Sequence, residues 1–310
     1  LAFTLPSALI LTVFALTAAS VGGPVAGGAL DGLKIVAVAI VAQAVWGMAR
    51  SLCPDRERGS IAVAAVVLLA VLPGEVGMVG AIAAGALAGL ALGRGTASAG
   101  GRLSVPVTRR QGGVALAVFA ALLLGLPLVA GQGQGLAVID SFYRAGSLVF
   151  GGGHVVLPLL EAEVVGPGWV TPDRFLAGYG AAQAVPGPLF TFAAYLGAVL
   201  EPWPNGVLGA TVALLALFLP GFLLLVAALP FWDRFRTMPR AQSAMQGANA
   251  AVVGILGAAL YDPVFTAAIG DMRDLALALA CFVALVAWKV APWMVVLAGA
   301  AGGVALQVMG

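Results

Sequence analysis

Charge is what this sequence has least of. Of its 310 residues 9% are Asp, Glu, Lys or Arg, against 62% hydrophobic. A soluble domain carries about 25% charged and about 45–50% apolar residues. So few charges cannot cover a water-facing surface, which excludes a soluble globular fold and a disordered chain. Fifteen Lys+Arg against thirteen Asp+Glu leave a formal net charge of +2, too little for a nucleic-acid-binding face, so no nucleic-acid partner is expected. Histidine occurs once, at His154, which excludes multi-histidine metal centres and leaves no other imidazole for a catalytic triad. Cys53 lies in a polar stretch and Cys281 in an apolar one; they form no CxxC, so neither a disulfide framework nor a metal site follows. GxxxxGK[ST] and HExxH are both absent, so the chain does not itself hydrolyse ATP and is not a zincin. No cofactor and no enzymatic activity are expected.

What is present is a succession of long apolar runs, with a mean hydropathy of +1.07. Barrel strands alternate apolar and polar residues, whereas runs such as Ile61 to Leu72 and Val207 to Leu229 are continuous. The fold class is therefore all-α, a polytopic membrane protein. About 20 apolar residues span a bilayer as a helix. That length predicts ten helical segments, at 3–20, 33–50, 60–73, 75–92, 113–130, 174–200, 205–229, 242–261, 272–288 and 291–308. The stretch 136–165 places Asp140, Arg144, three glycines, His154 and Pro158 among apolar residues, and reads as a broken or re-entrant helix pair. The chain opens at Leu1 inside an apolar run with no basic stretch before it. That is not a signal peptide, and reads as a cut within or just before a membrane helix.

The loops carry the charge. Arg50 to Gly59 and Phe231 to Arg240 hold three Arg each, and Gly93 to Gly113 holds four Arg and no acid. The positive-inside rule puts all three in the cytoplasm, and the acidic segment Asp262 to Asp274 outside. Three short matches recur at an offset of 214 or 215: Phe3–Ser7 with Phe218–Phe222, Gly32–Val38 with Gly247–Val253, and Gly85–Gly89 with Gly299–Gly303. Equivalent loops differ in charge. Ser20 to Asp31 is nearly uncharged where Phe231 to Arg240 is basic, and Arg50 to Gly59 is basic where Asp262 to Asp274 is acidic. Equivalent loops on opposite sides mark an inverted-topology repeat, a design common in secondary transporters. The expected organisation is 1–92 as the remainder of a first transmembrane repeat, 93–112 as a cytoplasmic linker and 113–310 as a second repeat.

Two motifs carry the candidate chemistry. The first is Phe150-Gly151-Gly152-Gly153-His154-Val155-Val156-Leu157-Pro158. Glycines leave backbone N–H groups uncovered, and a helix starting after them aims its positive end at the turn, which suits an anion. His154 adds a side-chain donor, and Arg144, ten residues earlier, a permanent charge. The competing reading is close helix packing by the glycines, with Arg144 snorkelling to the interface. Asp140 stands four residues before Arg144, the spacing and order that pair them on a helix. The second motif is Gln183-Ala-Val-Pro186-Gly187-Pro188, which no helix can run through. Such a break is tolerated at membrane depth only where protein or a cavity satisfies the freed groups; the competing reading is a plain kink. Lys34 and Asn249 occupy equivalent repeat positions and are candidates for the pathway, Lys34 with interfacial snorkelling as its alternative. Glu75, in a hairpin turn after Pro73-Gly74, reads as solvated, and Glu161 and Glu163 as interfacial, with proton coupling as their alternative.

The runs FGGGHVVLPLL at 150–160 and QAVPGPLFTFAAYLGA at 183–198, in this order and spacing, resemble the chromate ion transporter (CHR) family. The LPS helix at 5–7 and GLKIVAVAIVAQAVWGMA at 32–49 resemble the later part of that family's first half. Long members of the family resemble a duplication in which each half carries both motifs; here the motifs occur once. The resemblance implies a secondary transporter that exports chromate across the bacterial inner membrane and confers chromate resistance. Sulfate is a similar tetrahedral dianion. The substrate-binding residues it points to are Arg144, Gly151, Gly152, Gly153, His154, Gln183, Pro186, Gly187 and Pro188, with no metal. Uptake or exchange of sulfate or another oxyanion is the alternative transport function. A non-transporting membrane assembly partner is a different class. The expected partners are chromate, with sulfate as a second anion, and the lipid bilayer. Exposed small-residue helix faces permit a homodimer.

Overall fold

The computed structural model describes residues 3–18, 23–95, 107–149 and 152–309. The central part of the expected linker, 96–106, and Gly151 of the glycine motif lie outside the described residues. Among the described residues fifteen α-helices run in order: α1 Leu5–Ala18, α2 Pro24–Leu52, α3 Arg56–Val71, α4 Glu75–Leu92, α5 Arg109–Ala130, α6 Gln134–Ser147, α7 Val156–Val164 and α8 Pro172–Ala182. They continue with α9 Phe192–Val199, α10 Gly206–Ala228, α11 Trp232–Thr237, α12 Pro239–Ala259, α13 Thr266–Ala268, α14 Met272–Val286 and α15 Pro292–Met309. Among the described residues there is no strand.

Local chemistry sets the helix starts. Asp55 caps α3 by accepting from the Arg58 N–H at 2.9 Å. Thr108 and Gln111 form a reciprocal capping box at α5. Thr171 caps α8, with Pro172 at its first position, where no N–H is needed. Gly93 ends α4 in the left-handed conformation.

Among the described residues five stretches are long and apolar enough to cross a membrane: Pro24–Leu52, Glu75–Leu92, Arg109–Ala130, Gly206–Thr237 and Pro239–Ala268. Shorter apolar helices occur at Leu5–Ala18, Leu189–Val199 and Pro292–Val308. The two segments expected to be interrupted are interrupted, α6/α7 by the glycine motif and α8/α9 by Pro-Gly-Pro. At a rise of about 1.5 Å per residue, none of these four helices spans a bilayer alone. In α5 only Gly112 and Ala115 are buried, and Val114, Leu116, Val118, Leu124 and Leu128 are exposed, as a lipid-facing helix requires.

Two expectations need correction. The uncharged loop read at Ser20 to Asp31 is helical from Pro24 onward, so α2 starts nine residues before 33. Its Gly27, Gly28 and Gly32 look like loop composition but form a contact stripe against α15. A Cβ on Gly28 would lie 2.8 Å from the Val304 Cα, and one on Gly32 2.8 Å from the Ala300 Cα. The basic loop read at Phe231 to Arg240 holds the short helix α11, entered through a 3-10 turn at Leu229–Phe231.

The chain forms two compact units, one of residues 1–47, 156–215 and 256–310, the other of 48–155 and 216–255. In the first, α1 packs on α9 and α14 on α15; in the second, α3 packs on α4 and α5 on α6. Each contains the same glycine contact. A Cβ on Gly303 would lie 2.5 Å from the Gly32 Cα, and one on Gly89 would lie 2.9 Å from the Gly247 Cα. Gly32 and Gly247, and Gly89 and Gly303, are the pairs the repeat offset equates. Only residues without a side chain let two helix backbones approach this closely in lipid.

Candidate functional site

The glycine interruption begins where α6 ends. Asp140, Ser141, Phe142 and Tyr143 on that helix are buried. The Tyr143 hydroxyl donates to the Phe119 carbonyl at 3.1 Å, which ties α6 to α5. After residues outside the description, Gly152 has φ +152, a conformation L side chains rarely adopt, and among the described residues no atom lies within 4 Å of where its Cβ would be. Gly152 thus serves the turn, where its positive φ favours a residue without a side chain. A 3-10 turn over Gly153–Val155 carries half-buried His154 and leads directly into α7. Pro158 falls in the first turn of α7, where a missing N–H costs little.

Arg144, in the last turn of α6, is held by two carboxylates. It binds Asp140 one helical turn back, as the spacing predicted, and donates to Glu75 Oε2 at 2.7 Å. The side chains of Asp140, Arg144 and Glu75 are 6%, 32% and 40% exposed. Glu75 is therefore not merely solvated. It opens α4 and reaches a cation 69 residues away in sequence. The guanidinium is committed to acids and not to the snorkelling the sequence allowed.

The Pro-Gly-Pro interruption lies in the other unit. α8 stops at Ala182, with Gln183 as its cap, and the chain resumes helix through a 3-10 turn over Leu189–Thr191. Thr191 donates its hydroxyl to the Pro188 carbonyl at 2.8 Å, satisfying one of the groups the break frees. Gly187 has φ +157, and its missing Cβ would lie 2.8 Å from the Cβ of buried Ser7 on α1. The break opens a cavity of about 670 Å³ lined by Gln183, Pro186 and Gly187 on one side and Pro292, Trp293 and Leu297 of α15 on the other. Among the described residues no charged side chain lines it. The Gln183 Nε2 is buried, with the Tyr179 hydroxyl as its neighbour one helical turn back. Trp293 carried no sequence signal beyond opening an apolar run after a proline.

Of the pathway candidates, Lys34 reaches two exposed carboxylates. Its Nζ lies 2.7 Å from Asp31 and 2.9 Å from Asp173, joining α2 to α8. Asn249 is half-buried in α12. Glu163 is buried rather than interfacial.

An all-helical chain with five membrane-length apolar helices and two helices broken by glycine and Pro-Gly-Pro is a polytopic membrane protein. It belongs to the chromate transporter family, whose profile matches residues 1–90 and 136–304. The chain is 34% identical over 138 residues to the chromate transport protein of Pseudomonas aeruginosa, covering 44% of this chain and 32% of that protein. It is 30% identical over 168 residues to a probable chromate transport protein of Synechococcus elongatus, covering 52% and 41% respectively. The uncharacterized transporter YwrA of Bacillus subtilis is 38% identical over 101 residues, 32% of this chain and 54% of that one. The matches thus span about a third to a half of these relatives. No solved structure matches.

Proposed function

We propose that this chain belongs to a secondary transporter that exports chromate across the bacterial inner membrane and thereby confers chromate resistance, a transporter and not an enzyme. The observation that carries the reading is the cavity at the Pro-Gly-Pro break, lined in part by the Gln183 amide and, among the described residues, by no acid. A tetrahedral dianion offers four acceptor oxygens and repels carboxylates, so it suits such a lining. Gln183 with the Pro186, Gly187 and Pro188 backbone is one proposed contact region, and Gly151, Gly152, Gly153 and His154 are another. Arg144 contributes by exchanging its carboxylate partners, and Lys34 and Asn249 border the path. The names of the Pseudomonas and Synechococcus relatives support chromate as the cargo.

The two-repeat organisation, 1–92 and 113–310 about a linker at 93–112, is likewise proposed. The recurrent glycine contact in the two units supports it. An inside-negative potential favours outward movement of a dianion by about 2.3 kcal/mol per charge per 100 mV, so no nucleotide site is needed. The test is chromate content in sensitive cells expressing the full-length gene, with a sulfate chase. Lower chromate and restored growth are expected, with both lost in Gln183→Ala and Gly152→Leu proteins that still insert. Unchanged or raised chromate would reject export.

A further inference from the structure

The end of α5 that carries Arg109 and the end of α10 that leads into α11 meet in a surface the transport reading does not use. A Cβ on Gly112 would lie 3.0 Å from Pro230 Cγ, so the first turn of α5 rests on the 3-10 turn before α11. The Arg109 guanidinium lies 6.0 Å from the centre of the Phe231 ring. Around this junction Phe231, Trp232, Phe235 and Met238 are exposed. Arg109, Arg110, Arg234 and Arg240 are exposed beside them. Asp233, the acid of the segment, is paired with Arg236 at 3.1 Å. Among the described residues no acid pairs with Arg110, Arg234 or Arg240. The two helices that lead away from the junction show Val114, Leu116, Leu219, Phe222 and Leu225 to their surroundings, as lipid-facing walls do. The cations and aromatic rings therefore stand at headgroup level, where Trp and Phe anchor and arginine meets phosphate.

We propose that the junction of α5 and α11 is a binding surface for anionic phospholipid headgroups, with Arg110, Arg234 and Arg240 as the phosphate contacts and Phe231, Trp232 and Phe235 as the interfacial anchor. A leaflet is favoured over a soluble anion because the cations are interleaved with large exposed apolar side chains, which a free anion does not cover. Juxtamembrane arginines each add about fivefold to the affinity for an acidic leaflet.

The experiment titrates the full-length protein in neutral detergent with phosphatidylglycerol or with phosphatidylcholine of the same acyl chains, and follows thermal unfolding. Phosphatidylglycerol should raise the midpoint saturably. Arg234→Gln/Arg240→Gln should raise its half-saturating concentration about 25-fold at that increment per arginine, while Arg50→Gln/Arg56→Gln in another basic loop should leave it unchanged. Equal stabilisation by phosphatidylcholine or by inorganic phosphate alone, or an unaltered titration in the Arg234/Arg240 variant, overturns the proposal. Native mass spectrometry of the unmodified protein is the second reading should that variant not fold. Retained phosphatidylglycerol in excess of phosphatidylcholine supports the surface, and equal retention overturns it.

Discussion

Removing Arg144 should destabilise the protein far more than removing either acid it binds. The asymmetry follows from burial and charge count. Asp140, at 6% side-chain exposure, depends on Arg144 for its counter-charge, whereas Glu75, at 40%, retains water. Arg144→Gln strands one buried carboxylate and leaves a second beside it. Breaking a buried pair this way costs about 3–5 kcal/mol, and the partial exposure of Arg144 argues for the lower end, about 3 kcal/mol. Glu75→Gln leaves the Asp140–Arg144 pair intact and should cost below about 1 kcal/mol. At about 2 °C per kcal/mol for a chain of this size, the expected falls in Tm are about 6 °C and below about 2 °C. The assay is thermal unfolding of purified full-length protein in one detergent at pH 7. Asp140→Asn in the Arg144→Gln background should recover part of the loss, because the stranded charge is gone. Equal shifts for Arg144→Gln and Glu75→Gln, or no recovery in the double variant, would refute the reasoning.

Other outcomes follow from single residues. Gly152→Ala should cost about 1–2 kcal/mol through backbone strain alone, with the protein still inserting, whereas Gly187→Ala adds a clash with Ser7 and should lower Tm further; unfolding curves of the pair check the order. Gly89→Leu should abolish the monodisperse folded protein on size exclusion, because α4 and α12 meet backbone to backbone at Gly247. Gly113→Leu, where a side chain meets open space, should not. The Arg58 side chain and N–H hold the Asp55 carboxyl below its ordinary 3.8. Its folded-state pKa is depressed, so its contribution is present above that value and lost as pH falls through the folded one. Hydrogen exchange at the start of α3 should therefore accelerate on acidification below about pH 4, and Asp55→Asn should remove that pH dependence.

Much of this was legible in the sequence, for identifiable reasons. Hydrophobic runs of membrane length placed α3, α4, α5, α10, α12, α14 and α15 within a few residues, since little but helix satisfies a backbone in lipid. Both interruptions were legible because proline and consecutive glycines break helices by covalent geometry, and the Asp140–Arg144 pair because helical spacing is local. Distant contacts were not. Glu75 finds Arg144 across 69 residues, a distance no pattern encodes. Gly27 and Gly28 share their composition with a loop and fall in the stretch read as one, Ser20 to Asp31. Only the close approach of α15 explains them. Trp293 enters the cavity through the packing of α15 against a break more than a hundred residues upstream. The aromatic and basic alternation of Phe231 to Arg240 read as a charged loop because six helical residues leave too short a period to detect.

The most direct test of the central claim is chromate flux through the purified full-length protein in liposomes with an imposed membrane potential. The account predicts saturable chromate movement toward the positive side, competed by sulfate and lost in Gln183→Ala. With two charges moved, a potential of 100 mV supplies about 4.6 kcal/mol, so chromate should accumulate steeply and the accumulation collapse when the potential is removed. Flux no greater than in protein-free liposomes, or flux that neither saturates nor responds to the potential, would contradict a secondary transporter of oxyanions.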